Sequence, residues 1–148
     1  MEHITNSAEE TKKFGKEISA SLKGGEVLAL TGDLGFGKTT FVQGLAEGLA
    51  IDVRVISPTF IIVRKYIIPL TMKLRGIKNF YHIDLYRLEG AIESELVNLG
   101  VKDILGKKEN VVVIEWAEKA IGMYPKDTAW LIFSDMGGDK RKISVGKP

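Results

Sequence analysis

The chain has 148 residues, a formal net charge of +2, 45% hydrophobic and 27% charged residues, and no cysteine. That composition is ordinary for a globular protein and excludes disulfides, thiolate metal sites and thiol catalysis, while the small net charge does not by itself argue for a nucleic-acid binder. No apolar run approaches the roughly 18 residues of a membrane span, and "MEHITNSAEE" lacks a signal's basic-then-apolar order, so a cytoplasmic single domain covering 1–148 is expected.

Ser7-Ala8-Glu9-Glu10 matches a capping box and starts a helix that should run to about Leu22, with Thr11, Phe14, Ile18 and Leu22 on one face. Lys23-Gly24-Gly25 ends it. "EVLALT" is a short apolar strand that feeds a glycine-rich segment. A second helix should follow from Thr39 to about Leu49, striped by Phe41, Leu45 and Leu49, with Gly44 and Gly48 allowing close packing on the sheet. Residues 57–68 read as a strand opened by Ser57-Pro58, 69–79 as a loop and 80–88 as a second strand, together a hairpin-like pair. Helical spacing returns at Ile92, Leu96 and Leu99 and is stopped by Gly100. "NVVVIEW" is apolar on both faces, as a buried central strand is. "TAWLIFSD", the "MGGD" turn and "RKISV" form a closing antiparallel pair, and Trp116 and Trp130 read as core aromatics. The expected fold is a single α/β domain of P-loop NTPase type: a mostly parallel central sheet with antiparallel additions and helices on both faces.

Gly32-Asp33-Leu34-Gly35-Phe36-Gly37-Lys38-Thr39 fits the phosphate-binding pattern G-x-x-x-x-G-K-[ST] at every fixed position. The glycines let backbone N–H groups turn toward phosphate oxygens at a helix N-terminus. Lys38 would reach the β- and γ-phosphates, and the Thr39 hydroxyl would hold Mg²⁺. With a strand before and a helix after, the segment predicts binding of a nucleoside triphosphate.

Such a site needs a carboxylate at a neighbouring strand end. Glu115 ends one apolar run and Asp84 another. The assignment is Glu115 to the metal, directly or through water, and Asp84 to the attacking water or the metal's outer shell. Alternation places Phe80, His82, Asp84 and Tyr86 on one face and Tyr81, Ile83 and Leu85 on the other. His82 is then either a member of the site face with Asp84 or, equally, a strand histidine satisfied by a neighbour. Thr59 stands where a switch threonine would sense the γ-phosphate. Charge is uneven: 53–83 holds no acid but contains Arg54, Arg64, Lys65, Lys73, Arg75 and Lys78, either a solvated face or a patch for a phosphate-rich partner.

The motifs G-x-L-G-x-G-K-T-T-F, S-P-T-F, H-x-D-x-Y-R-L and V-I-E-W-x-E, in this order, resemble the TsaE (YjeE) family of ATPases in bacterial tRNA threonylcarbamoyladenosine (t6A) biosynthesis. The resemblance spans nearly the whole chain. It implies ATP and Mg²⁺ held by residues 35–40, including Phe36 and Thr40, with the metal on Thr39 and Glu115 and with Asp84 needed for turnover. Thr11, Glu118 and a basic residue at Arg141 would place the ribose and adenine. Its partners would be the TsaB and TsaD proteins, with tRNA reached through that complex, which hydrolysis resets between cycles. Phe36 stands where the family usually has Ala, and Ala117 where it usually has Pro; position 36 is unrestricted in the loop pattern.

Two other functions fit the loop: a small-molecule kinase and a nucleotide-gated module with negligible turnover. No lid insertion favours the kinase, and the absence of an N/T-K-x-D motif argues against GTP. Slow turnover by the isolated chain is expected, since no arginine finger is evident in cis and a partner would complete the site; Arg87 is the candidate cis supplier whose action would defeat that expectation.

Overall fold

Short runs of β-branched and aromatic residues become seven strands of one sheet in the computed structural model, which describes residues 1–33, 35, 37–52, 62–69 and 75–146. They are β1 (Glu2–Thr5), β2 (Val27–Thr31), β3 (Val63–Ile67), β4 (Asn79–Asp84), β5 (Asn110–Glu115), β6 (Ala129–Asp135) and β7 (Arg141–Val145), in spatial order β1-β7-β6-β2-β5-β4-β3. The central four, β4, β5, β2 and β6, are mutually parallel, and β3, β7 and β1 add antiparallel at the two edges. The expected sheet is therefore present, with both antiparallel pairs in place.

Helix α1 (Ala8–Ser19) is capped by Ser7, whose side chain accepts from the Glu10 N–H, while Glu10 reaches back to the Asn6 N–H at 2.6 Å. The helix stops at Ser19 rather than Leu22. Residues 20–22 tighten into i→i+3 turns, and the Arg75 guanidinium donates to the carbonyls of Ser19, Ala20 and Leu22 at 3.1–3.3 Å. A cation on the last carbonyls is the favourable end of the helix dipole.

Helix α2 (Lys38–Gly48) packs on α1 through glycines. A Cβ on Gly44 would strike the Lys12 carbonyl, one on Gly48 the Ser19 hydroxyl, and one on Gly15 the Phe41 carbonyl. Gly44 and Gly48 thus serve close approach to α1, not to the sheet as the sequence pattern suggested. Helix α3 (Ile92–Asn98) ends at Gly100 with φ 79°, and 3₁₀ turns span Val101–Asp103 and Ala117–Met123.

Two further departures have local causes. β4 ends at Asp84 instead of continuing to Leu88, because the Asp84 carboxylate accepts from the Tyr86 N–H at 2.9 Å and turns the chain, placing Tyr86 outside the strand. β1 carries no period of its own. It forms by pairing with β7 (Glu2↔Ser144 to Thr5↔Arg141), and its His3 ring stacks on Phe14 at 4.0 Å.

Core side chains fill both faces. Phe14, Leu30, Phe41, Leu45, Phe80, Val113 and Phe133 pack beneath α1 and α2. Ile83, Leu85, Leu96, Val101, Ile114 and Trp130 pack beneath α3 and the 3₁₀ turns. At about 1.5–3 kcal/mol for each fully buried large side chain, both layers are substantial. No helix among the described residues is long and apolar enough to cross a membrane.

Candidate phosphate-binding site

Parallel strands of similar length end at one edge of a sheet, and register decides which ends meet. Here Leu30 pairs with Glu115 and Glu115 with Asp84, so the carboxyl ends of β2, β5 and β4 lie side by side. The loop after β2, Glu115 and Asp84 converge for this reason.

Gly35 and Gly37 have φ of 79° and 92°, the left-handed region that only glycine enters freely. Gly37 caps α2, and its carbonyl accepts the first helical bond, from Phe41 at 2.9 Å. The N–H groups of the first turn, including that of Thr40, have no partner within the helix, the arrangement by which a helix N-terminus can bind an anion.

Lys38 is buried. Its ammonium donates to the carbonyls of Gly32 and Asp33 and lies 4.2 Å above the Trp116 ring. Burial pulls its pKa below 10.5, and the charges of Glu115, Glu118, Asp84 and Asp33 partly restore it. The lysine therefore sits in a field of four acids and donates to carbonyls of its own loop.

Glu115 is 2% exposed and accepts from the Thr39 hydroxyl at 3.0 and 3.3 Å, while Nε2 of fully buried His82 lies 2.6 Å from its Oε2. The Thr39–Glu115 oxygen separation is that of two neighbouring ligands on an octahedral ion at about 2.1 Å, which stand about 3 Å apart. Among the described residues no group of three His, Cys, Asp or Glu side chains could hold a metal. A pair of hard oxygens suits an ion that takes its remaining ligands from phosphate and water.

The expected site residues fall into three sets. Lys38, Thr39, Glu115 and Asp84 meet at the strand ends; Asp84 contributes to the field at Lys38 while its Oδ1 accepts from Tyr86. Thr11 and Arg141 flank the loop: a Cβ on Gly37 would lie 3.5 Å from the Thr11 methyl and 3.8 Å from Arg141 Cγ, and Arg141 donates to the Gly35 carbonyl at 2.9 Å. The Thr11 hydroxyl is engaged with Thr5 at 2.6 Å and the Ser7 carbonyl, so Thr11 turns its methyl to the loop. Glu118, with Oε1 buried and unpartnered among the described residues, acts on Lys38 and also, with burial as the larger cause, raises the Tyr124 pKa. Gly32 abuts the Phe133 carbonyl. Phe36 and Thr59 lie outside the described residues.

One contribution escaped the sequence reading. Trp116 has φ 58° and is half-buried against the second core layer, and its ring also stands between Lys38 and Tyr86 (Tyr86 and Trp116 ring centroids 5.1 Å apart). Trp130 is a core residue as expected. Of the basic run, Arg54 and Lys73 lie outside the described residues, and Arg75 is engaged with the α1 carbonyls.

Fold and site define an α/β protein with a glycine-loop site at the carboxyl edge of a parallel sheet, flanked by two acids. The family model for "Threonylcarbamoyl adenosine biosynthesis protein TsaE" matches residues 5–143. A Bacillus subtilis (strain 168) protein named tRNA threonylcarbamoyladenosine biosynthesis protein TsaE is 39% identical over 140 residues, covering 95% of this chain and 81% of its own. One of the same name from Treponema pallidum (strain Nichols) is 33% identical, over 98% and 99% of the two chains. The crystal structure of Bacillus subtilis YdiB is similar at a TM-score of 0.73 and 33% identity, covering 98% of this chain and 83% of that one. The chain belongs to the TsaE family.

Proposed function

We propose that this chain is a P-loop NTPase: the ATP-binding and ATP-hydrolysing component of t6A modification of tRNA, whose hydrolysis resets a TsaB–TsaD partner complex. The observation that carries the reading is the convergence of Lys38, Thr39, Glu115 and Asp84 on one sheet edge in a member of the TsaE family.

In this mechanism the glycine loop and the first turn of α2 bind the phosphates through N–H groups. Lys38 exchanges its loop carbonyls for β- and γ-phosphate oxygens. Thr39 and Glu115 hold Mg²⁺, which supplies charge neutralisation at the phosphates when bound. Asp84 orients the attacking water. Arg141 and the Thr11 methyl wall the loop on the side where the base and ribose would rest.

The test is ATP turnover by the purified chain, alone and with a TsaB–TsaD pair, with Lys38→Ala as the blank. We expect slow turnover alone and strong stimulation by the pair. Turnover unchanged by the pair would leave an ATPase without the proposed assignment. Turnover that requires a small hydroxylated acceptor would make it a kinase.

A further inference from the structure

A carboxylate buried to 2% exposure needs a donor for each oxygen, or it loses its charge or its place. Glu115 has two donors from different elements. Thr39, at the start of α2, donates across both oxygens, nearer Oε1 at 3.0 Å than Oε2 at 3.3 Å, and His82, in the middle of β4, approaches Oε2 at 2.6 Å. The approach follows from the parallel ladder. His82 pairs with Val113, so Glu115, two residues on, lies on its diagonal and on the same face.

The other imidazole nitrogen decides which proton His82 carries. Nδ1 is buried and has no partner among the described residues. A ring protonated at Nδ1 would bury an N–H without an acceptor, whereas the Nε2–H tautomer leaves only a lone pair there and points its proton at the carboxylate. Nε2 thus donates to Oε2 at the shorter distance, and Oε1 is the oxygen that the Thr39 hydroxyl approaches more closely.

We propose that His82 is a positioning residue that holds Oε2 of Glu115, so that the carboxylate presents Oε1 in a fixed direction to a divalent cation shared with Thr39. This rests on reading Thr39 and Glu115 as the cation's ligands. Groups that orient a ligating carboxylate typically matter 10–100-fold to metal affinity. The phosphates are bound by the loop and Lys38, which His82 does not touch in the contacts described. Its loss should therefore separate cation affinity from nucleotide affinity.

The experiment titrates Mn²⁺, followed by the electron-spin resonance of the free ion, into the full chain saturated with a non-hydrolysable ATP analogue. Affinity for the analogue without metal is measured alongside. His82→Leu should weaken Mn²⁺ about 10–100-fold while metal-free analogue affinity stays within about twofold. His82→Gln, whose amide N–H reaches to about the position of Nε2, should restore most of the loss. If His82→Leu does not fold, His82→Asn replaces it, since its shorter amide keeps polarity but does not reach Glu115; the same loss is then expected. Unchanged Mn²⁺ affinity in the non-donating variant overturns the proposal. So does an equal fall in metal-free analogue affinity, or a His82→Gln variant as weak as His82→Leu. Glu115→Gln is the control for the underlying reading: if it too binds Mn²⁺ like the unaltered chain, Glu115 is not a ligand and the premise fails with the proposal. If it alone loses the ion, only the role of His82 is overturned.

Discussion

The two faces of the sheet are filled from the same strands by strict alternation, yet they bury different chemistry. Beneath α1 and α2 the apolar layer is interrupted by Lys38, His82 and Glu115, all at most 5% exposed. Beneath α3 and the 3₁₀ turns the large buried side chains are apolar, and the buried polar residues there, Thr31 and Asn110, are neutral; Asn110 is satisfied by Asn79 and the Ile104 carbonyl. Charge is expensive to bury unless it is paired and hydrogen-bonded. Most of it is gathered on one face, next to the glycine loop; on the other face only Glu118, in the 3₁₀ turn, buries a carboxylate oxygen, and we read the first face as the working one and the second as mainly support. Altering the charged groups at the strand ends of the first face should change binding and chemistry more than stability, and altering the apolar residues of the second face should do the reverse.

The largest effect is expected from Asp84→Asn. Asparagine keeps the Oδ1 acceptor that closes the turn to Tyr86, so the substitution removes charge without removing the turn. ATP turnover should fall by about 10²–10⁴-fold, the range of a positioned acid–base group, while nucleotide affinity and unfolding midpoint stay close to those of the unaltered chain. An Asp84→Asn variant with normal single-turnover kinetics would remove Asp84 from the working set.

Leu96→Ala tests the supporting face. Leu96 is 1% exposed, and truncation should cost about 2–5 kcal/mol in urea unfolding while nucleotide affinity of the folded fraction holds within about twofold. A parallel loss of affinity would mean the two faces are not independent.

A smaller effect, in pH, sharpens the contrast further. Burial lowers the pKa of Lys38, so between the lowered value and 10.5 the unfolded chain binds more protons than the folded one. In that window the Lys38 contribution to stability rises with pH. Nucleotide affinity should move the opposite way, because the phosphates require the ammonium: it falls as pH rises through the same window. Lys38→Met should abolish both trends, and difference titrations of unfolding and of nucleotide binding against Lys38→Met check the two signs. Trends of the same sign would count against phosphate contact by Lys38.

What could be read from the sequence was local in origin. The spacing of Gly32, Gly35, Gly37, Lys38 and Thr39, the apolar runs that end at Glu115 and Asp84, the Ser7 cap and the Gly100 stop are each written within a few residues, because glycine conformation, capping and strand periodicity are short-range physics. What only the tertiary structure decided was partnership. β1 exists because β7 lies beside it, Arg75 closes a helix that precedes it by more than fifty residues, Gly44 and Gly48 answer to α1 instead of the sheet, and Trp116 sits at the margin of the core and covers Lys38. His82 was legible as a member of the site's face but not as the donor to Glu115. Alternation along β4 says which way a side chain points. The parallel register of β4 on β5, set by the packing of the whole sheet, says what it meets.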